Sequence, residues 1–159
     1  MGKKIKIPNI PFYFVRHGET DWNKTNQELC SKDNIPLNET GLLQAANVCK
    51  HISLLDITKI YSSPLMRAKQ TAEIINITCE APLEFHAGLR EILDEKIANT
   101  FAEILDPSHT ILIVSHGEVY RVLLRILDAQ ATDLNAENGG LYLFKPSDSG
   151  QWVVHALSD

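Results

Sequence analysis

Two short apolar runs, Ile10 to Val15 and Thr110 to Ser115, limit what this chain can fold into: each is rich in β-branched or aromatic residues, and each leads into a histidine followed by a glycine. Runs of this length without polar alternation are the pattern of strands covered on both faces, as in a parallel sheet between helices. Helical patterns lie between them. Glu39 to Leu54 spaces Leu42, Leu43, Ala46 and either Val48 or Cys49 along one face, with Asn38 or Thr40 as its cap. Ser63 before Pro64 is a start signal for a second helix over Pro64 to Ile75, with the serine as cap and the proline at the first helical position. Lys59 to Ser62 reads as a strand feeding that helix. Ile92 to Leu105 has mixed helical periodicity, and Val119 to Leu127 is a clearer buried helix. Leu141 to Phe144 and Trp152 to Ala156 flank a turn at Pro146 to Gly150 and read as a terminal hairpin.

This alternation of strands and helices predicts an α/β sandwich, in which ligands sit at the carboxyl ends of the strands. Both His-Gly pairs belong at such ends. The 159 residues suit one domain, 1–159, without repeats or internal linker. A formal charge of -5 argues against a nucleic-acid partner or an acidic membrane, so any phosphate site has to be locally basic. Cys30, Cys49 and Cys79 are too scattered for a disulfide framework, which favours a reducing, cytoplasmic setting. The N-terminal apolar stretch is too short for a signal peptide or a membrane span.

Phe14 to Asn23, reading Phe-Val-Arg-His-Gly-Glu-Thr-Asp-Trp-Asn, resembles the signature of the histidine phosphatase superfamily, the phosphoglycerate-mutase-like proteins. Ser62 to Ala72 is similar to that family's second motif, Leu89-Arg90-Glu91 to its acid motif, and Ser115-His116-Gly117 to its last. All four stand in the family's order, and with Pro36 to Ala45 they span nearly the whole chain. An isolated Arg-His-Gly would mean little; the ordered set is specific. The resemblance implies a three-layer α/β sandwich with a mostly parallel central sheet and helices on both faces.

The chemistry accounts for these residue types. Phosphoryl transfer wants an in-line nucleophile and positive groups around the equatorial oxygens. A neutral imidazole is available near pH 7, and adjacent cations favour the uncharged form. By resemblance, His17 is the nucleophile, its inner ring nitrogen fixed by a backbone carbonyl. Arg16 and Arg67 grip the phosphoryl oxygens through guanidinium forks that stay charged. His116 donates to the same oxygens, and Thr20, Asn23 and the Gly117 amide complete the phosphate pocket. Glu91 is the general acid that protonates the leaving oxygen and then activates water; Asp94 and Glu95, about a turn away, are alternatives. No metal or other cofactor is called for. Glu19 is expected to orient the loop, and His51, His86, His109 and His155 lack motif context.

The chain also departs from the family. Only residues 92–115 separate Glu91 from His116, where the mutases carry a longer insertion that covers the site. An open pocket lets water reach the phosphohistidine and favours hydrolysis. Lys24 to Cys30 lacks the family's usual specificity residues, and Glu118 stands where many members have a small residue. The expected activity is a metal-independent phosphatase acting on a phosphorylated small molecule or phosphoprotein, including phosphohistidine protein. The alternatives are a phosphoglycerate-mutase-type isomerase and a catalytically silent phospho-ligand-binding protein. The sequence does not set the oligomeric state.

Overall fold

The computed structural model describes residues 6–25, 34–90 and 93–158. Its centre is a seven-stranded sheet: β1 (Phe12–Arg16), β2 (Lys59–Ser62), β3 (Leu83–Phe85), β4 (Ile111–Ser115), β5 (Gln130–Ala131), β6 (Leu141–Pro146) and β7 (Trp152–Ala156), in the order β3-β2-β4-β1-β6-β7-β5. The β1–β4, β2–β4, β2–β3 and β5–β7 pairings are parallel. β6 runs antiparallel to β1 and β7, and β6 with β7 forms the expected terminal hairpin.

The helices are α1 (Asp21–Lys24), α2 (Glu39–Ile52), α3 (Met66–Cys79), α4 (Asp94–Ile104) and α5 (Gly117–Ile126), with a 3-10 turn at Ala87–Arg90. Alternation along the central strands feeds two separate cores. Phe12 and Phe14 of β1 and Ile111 and Ile113 of β4 pack with Ile97 and Phe101 of α4 and with Val119 and Leu123 of α5. Val15, Leu112 and Val114 point the other way, against Val48 and Ile52 of α2 and Ala68, Ala72 and Ile75 of α3. Residues i and i+2 of a strand share a face, so a sheet covered on both sides needs apolar residues throughout. All five residues of β4 are buried. The result is the three-layer α/β sandwich implied by the resemblance.

Two helices differ from their expected form. The buried face of α2 is Gly41, Ala45, Val48 and Ile52, whereas Leu42 and Leu43 are exposed, as is Ala46. A close backbone approach sets the rotation of this helix: a Cβ on Gly41 would lie 2.1 Å from the Glu19 carbonyl oxygen, and one on Gly18 would lie 2.5 Å from the Gly41 carbonyl oxygen. The two glycines therefore face each other, and the leucines turn out to solvent. Asn38 is the cap, its side chain accepting from the Gly41 N–H. In α3 the first helical residue is Met66, after an extended Leu65 with no side-chain cap. Ser63 stands two residues before the cap position, and its hydroxyl lies at the site described next.

Candidate active site

Three neighbouring strands end side by side and deliver the polar groups. Arg16 at the end of β1 is in register with Ser115 at the end of β4, so His17 and His116 leave the sheet together. The His17 N–H donates to the Ser115 carbonyl at 3.0 Å, and the Ser63 N–H beyond β2 donates to the Val114 carbonyl at 2.9 Å. The two imidazoles meet edge-on, with ring centroids 5.2 Å apart. Both are buried.

Each histidine spends one ring nitrogen on the protein. Nδ1 of His17 lies 2.7 Å from the carbonyl oxygen of Gly18. A carbonyl only accepts, so Nδ1 carries the proton and Nε2 holds a lone pair. Burial is the main cause that lowers the His17 pKa, to about 3, with Arg16 and Arg67 adding to it against the opposing Gly18 hydrogen bond. His17 is therefore neutral at physiological pH. His116 is also held well below the ordinary histidine value, first by burial and then by His17, Arg67 and Arg16. Its Nε2 lies 2.8 Å from the Ser63 hydroxyl oxygen.

A cavity of about 320 Å³ opens beside these rings, lined by Arg16, His17, Asn23, Arg67, His116 and Gly117. Arg16 is held by a 2.7 Å hydrogen bond from its guanidinium to the Ala136 carbonyl, while its Nε is buried without a hydrogen-bond partner among the described residues. Gly117 lets Arg16 lie close, since a Cβ there would stand 3.2 Å from that Nε. Arg67, in the first turn of α3, is 3% exposed. One turn on, Thr71 donates to the Arg67 carbonyl at 2.8 Å and accepts the Gly18 N–H at 3.1 Å. Gln70 accepts the Leu37 N–H at 2.8 Å. The spacing in the second motif thus serves the site twice, placing the arginine and anchoring the loop that carries His17.

The other expected residues fall into different settings. Asn23 reaches the cavity, but Thr20 is fully buried and is not part of the lining. Thr20 caps α1: its hydroxyl accepts the Asn23 N–H and donates to Asn23 Oδ1, both at 3.1 Å. A threonine opening a helix turn serves its own orphan donors first. Glu19 orients the loop, accepting from Asn38 at 3.0 Å while its N–H donates to Gln44 at 2.8 Å. Glu91 lies outside the described residues. The preceding Leu89 is fully buried and its carbonyl accepts from Ser115 at 2.6 Å, which ties the 3-10 turn to the end of β4. Asp94 and Glu95 do not line the cavity; Asp94 is bonded to Arg125 at 2.5 Å.

Several contributors carry no motif. Glu118, Arg121, Asn135 and Ala136 also line the cavity, and Glu118 is ion-paired with Arg121. Arg121 stands one helical turn after Gly117, a spacing that puts both on one face of α5. Asn138 donates to the His17 carbonyl at 3.2 Å and to Asn23 at 3.3 Å. Gly139, at φ 73°, donates to the Arg16 carbonyl at 2.9 Å. Among the described residues no group of three or more His, Cys, Asp or Glu is placed to hold a metal ion. A larger hollow of about 680 Å³, between the C-terminal end of α5 and Trp152, is lined by no histidine, arginine or carboxylate among the described residues. The convergent polar groups, and not size, mark the site.

The covered α/β sheet thus brings two histidines, at adjacent strand ends, and two arginines together around one cavity. The family model of the histidine phosphatase superfamily (branch 1) matches residues 12–105, and the chain belongs to that family. An agropine synthesis reductase of Rhizobium rhizogenes is 30% identical over 90% of this chain and 41% of its own length. A probable phosphoglycerate mutase of Citrobacter koseri is 39% identical over 59% of this chain and 45% of its own length. The chain thus spans less than half the length of these two relatives. Among solved structures, a phosphoserine phosphatase from Entamoeba histolytica superposes with a TM-score of 0.75 at 22% identity, covering 94% of this chain and 97% of its own. A mycobacterial glucosyl-3-phosphoglycerate phosphatase gives 0.72 at 16% identity, over 92% and 97%. These likenesses establish the shared fold. Among the described residues, no helix is long and apolar enough to cross a membrane.

Proposed function

We propose that this chain is a metal-independent phosphatase that hydrolyses a phosphomonoester or a phosphohistidine through a phosphohistidine on His17. The observation that carries this reading is the hydrogen bond from His17 Nδ1 to the Gly18 carbonyl, which leaves Nε2 unprotonated on a ring that lines the cavity. Nε2 attacks phosphorus, the Nε2–P bond forms, and the bond from phosphorus to the leaving group breaks. Arg16 and Arg67 balance the charge on the equatorial oxygens, the work that a metal ion performs elsewhere. Glu91 is assigned the proton for the leaving oxygen. Water then attacks the phosphohistidine, Glu91 takes the proton of that water, and phosphate and neutral His17 are released.

The substrate is assigned as a phosphorylated small molecule or a phosphoprotein. Support comes from the solved neighbours named for phosphoserine and glucosyl-3-phosphoglycerate hydrolysis. The free Cys49 and Cys79 fit the cytoplasmic setting assigned to it. A mutase is the second reading, favoured by relatives named as probable phosphoglycerate mutases. The deciding experiment incubates the protein with a panel of sugar phosphates, phosphoglycerates, nucleotides, phosphoamino acids and phosphohistidine protein. Release of inorganic phosphate, lost in His17→Ala, is the expected result. Isomerised phosphoglycerate without free phosphate would favour the mutase, and binding without turnover across the panel would favour a silent phospho-ligand-binding protein.

A further inference from the structure

Ser63 is fully buried just beyond β2, and its hydroxyl oxygen stands 2.8 Å from Nε2 of His116. Its hydrogen-bond bookkeeping is constrained. The Leu65 N–H donates to Ser63 Oγ at 3.3 Å, and that contact consumes acceptor capacity only. The hydroxyl proton still needs an acceptor, and Nε2 is the one within reach among the described residues. A serine hydroxyl carries one donor, and a neutral imidazole carries one N–H and one lone pair. If the hydroxyl donates to Nε2, the imidazole proton resides on Nδ1.

The other end of the ring is consistent with this. Nδ1 of His116 is buried and has no hydrogen-bond partner among the described residues, although His116 lines the cavity next to Gly117. A buried polar atom without a partner points to a group that arrives with a ligand. An Nδ1–H would attract an anionic phosphoryl oxygen, whereas a bare Nδ1 lone pair would repel it. The two tautomers therefore have opposite effects on the transition state.

We infer that Ser63 is a positioning residue that locks His116 in the Nδ1–H tautomer, so that the buried Nδ1–H donates to a phosphoryl oxygen in the transition state. The donor role rests on the phosphatase reading above; the tautomer does not. Ser63 acts only through His116.

The test combines a ring-nitrogen spectrum with kinetics on the full chain. Long-range proton–nitrogen correlation of histidine-labelled protein, with His116→Gln to assign the signals, separates protonated from bare ring nitrogens. The wild type is expected to show His116 protonated at Nδ1, and Ser63→Ala to shift it toward Nε2–H. On the best phosphoester of the panel, Ser63→Ala should lower kcat about 10–100-fold, the usual range for orienting partners, with little change in KM. Ser63→Thr, which keeps the hydroxyl, should restore both spectrum and rate to within a few-fold. A wild type protonated at Nε2, or a Ser63→Ala variant unchanged in both tautomer and kcat, would overturn the inference. Absence of turnover by the wild type would overturn the phosphatase reading and the donor role with it, while the spectrum would still uphold or refute the tautomer lock.

Discussion

β1 and β4 end in the same local sequence, a histidine and a glycine after a buried strand, yet the two histidines present opposite nitrogens. His17 gives Nδ1 to the carbonyl of the next residue and keeps Nε2 as a lone pair. His116 gives Nε2 to the hydroxyl of Ser63, just beyond the neighbouring strand, and its Nδ1 has no partner among the described residues. In the proposed mechanism one serves as the nucleophile and the other as a donor. The partner held by the second nitrogen, and not the strand-His-Gly element, sets the role.

The two glycines diverge in the same way. Gly18 meets backbone, since a Cβ there would lie 2.5 Å from the Gly41 carbonyl oxygen and 2.9 Å from its Cα. Gly117 meets a side chain, with Arg16 Nε at 3.2 Å. Backbone of a packed helix cannot yield, whereas an arginine can shift by a few tenths of an ångström. The first glycine therefore holds the loop against α2, and the second lets the Arg16 guanidinium lie close.

Substitutions can break this asymmetry. The largest effect is expected from His17→Ala, which should reduce kcat by roughly 10⁴-fold or more, because no other group can replace the attacking atom. Arg67→Ala should reduce kcat/KM by about 10²–10³-fold, the scale for removing one preorganised donor at developing charge. Both are read from phosphate release at saturating and limiting substrate. Gly18→Ala should lower unfolding stability by about 1–3 kcal/mol, the usual cost of forcing extra atoms into packed structure, as measured by urea denaturation. Gly117→Ala should change stability less than Gly18→Ala, while raising the KM for phosphoesters by displacing Arg16.

The smallest expected effect is a linkage to pH. The folded His17 titrates at about 3, against an ordinary value of 6.5. Between those values the unfolded chain binds a proton that the fold refuses, so this contribution to stability is complete above about pH 6.5 and declines as pH falls toward 3. Going from pH 7 to pH 5, the wild type should therefore lose more stability than His17→Gln. Equal losses in urea titrations at the two pH values would contradict the buried, neutral state of His17.

Much of this arrangement was legible in the residues themselves. The ordered motifs brought Arg16, His17, Arg67 and His116 to one place because each sits at a strand end or in the first turn after one. Dual roles were less legible. Ser63 before Pro64 reads as a helix cap, but α3 starts at Met66 and the Ser63 hydroxyl lies against His116; Thr20, read as a phosphate ligand, has a second use as the cap of α1. A short polar side chain has several local uses, and tertiary neighbours choose among them. Asn135, Ala136 and Asn138 come from an irregular segment with no periodicity to read, although Ala136 holds Arg16 through its carbonyl alone. The strands β3 and β5, three and two residues long, are too short for an alternation pattern to show.

The most direct test is to trap the covalent state. Rapid quenching during turnover of a labelled phosphoester, followed by peptide mapping, should find an acid-labile, base-stable phosphoryl group on the peptide containing His17 and none in His17→Ala. Unchanged phosphatase turnover in His17→Ala, or label residing on another residue, would contradict His17 as the nucleophile.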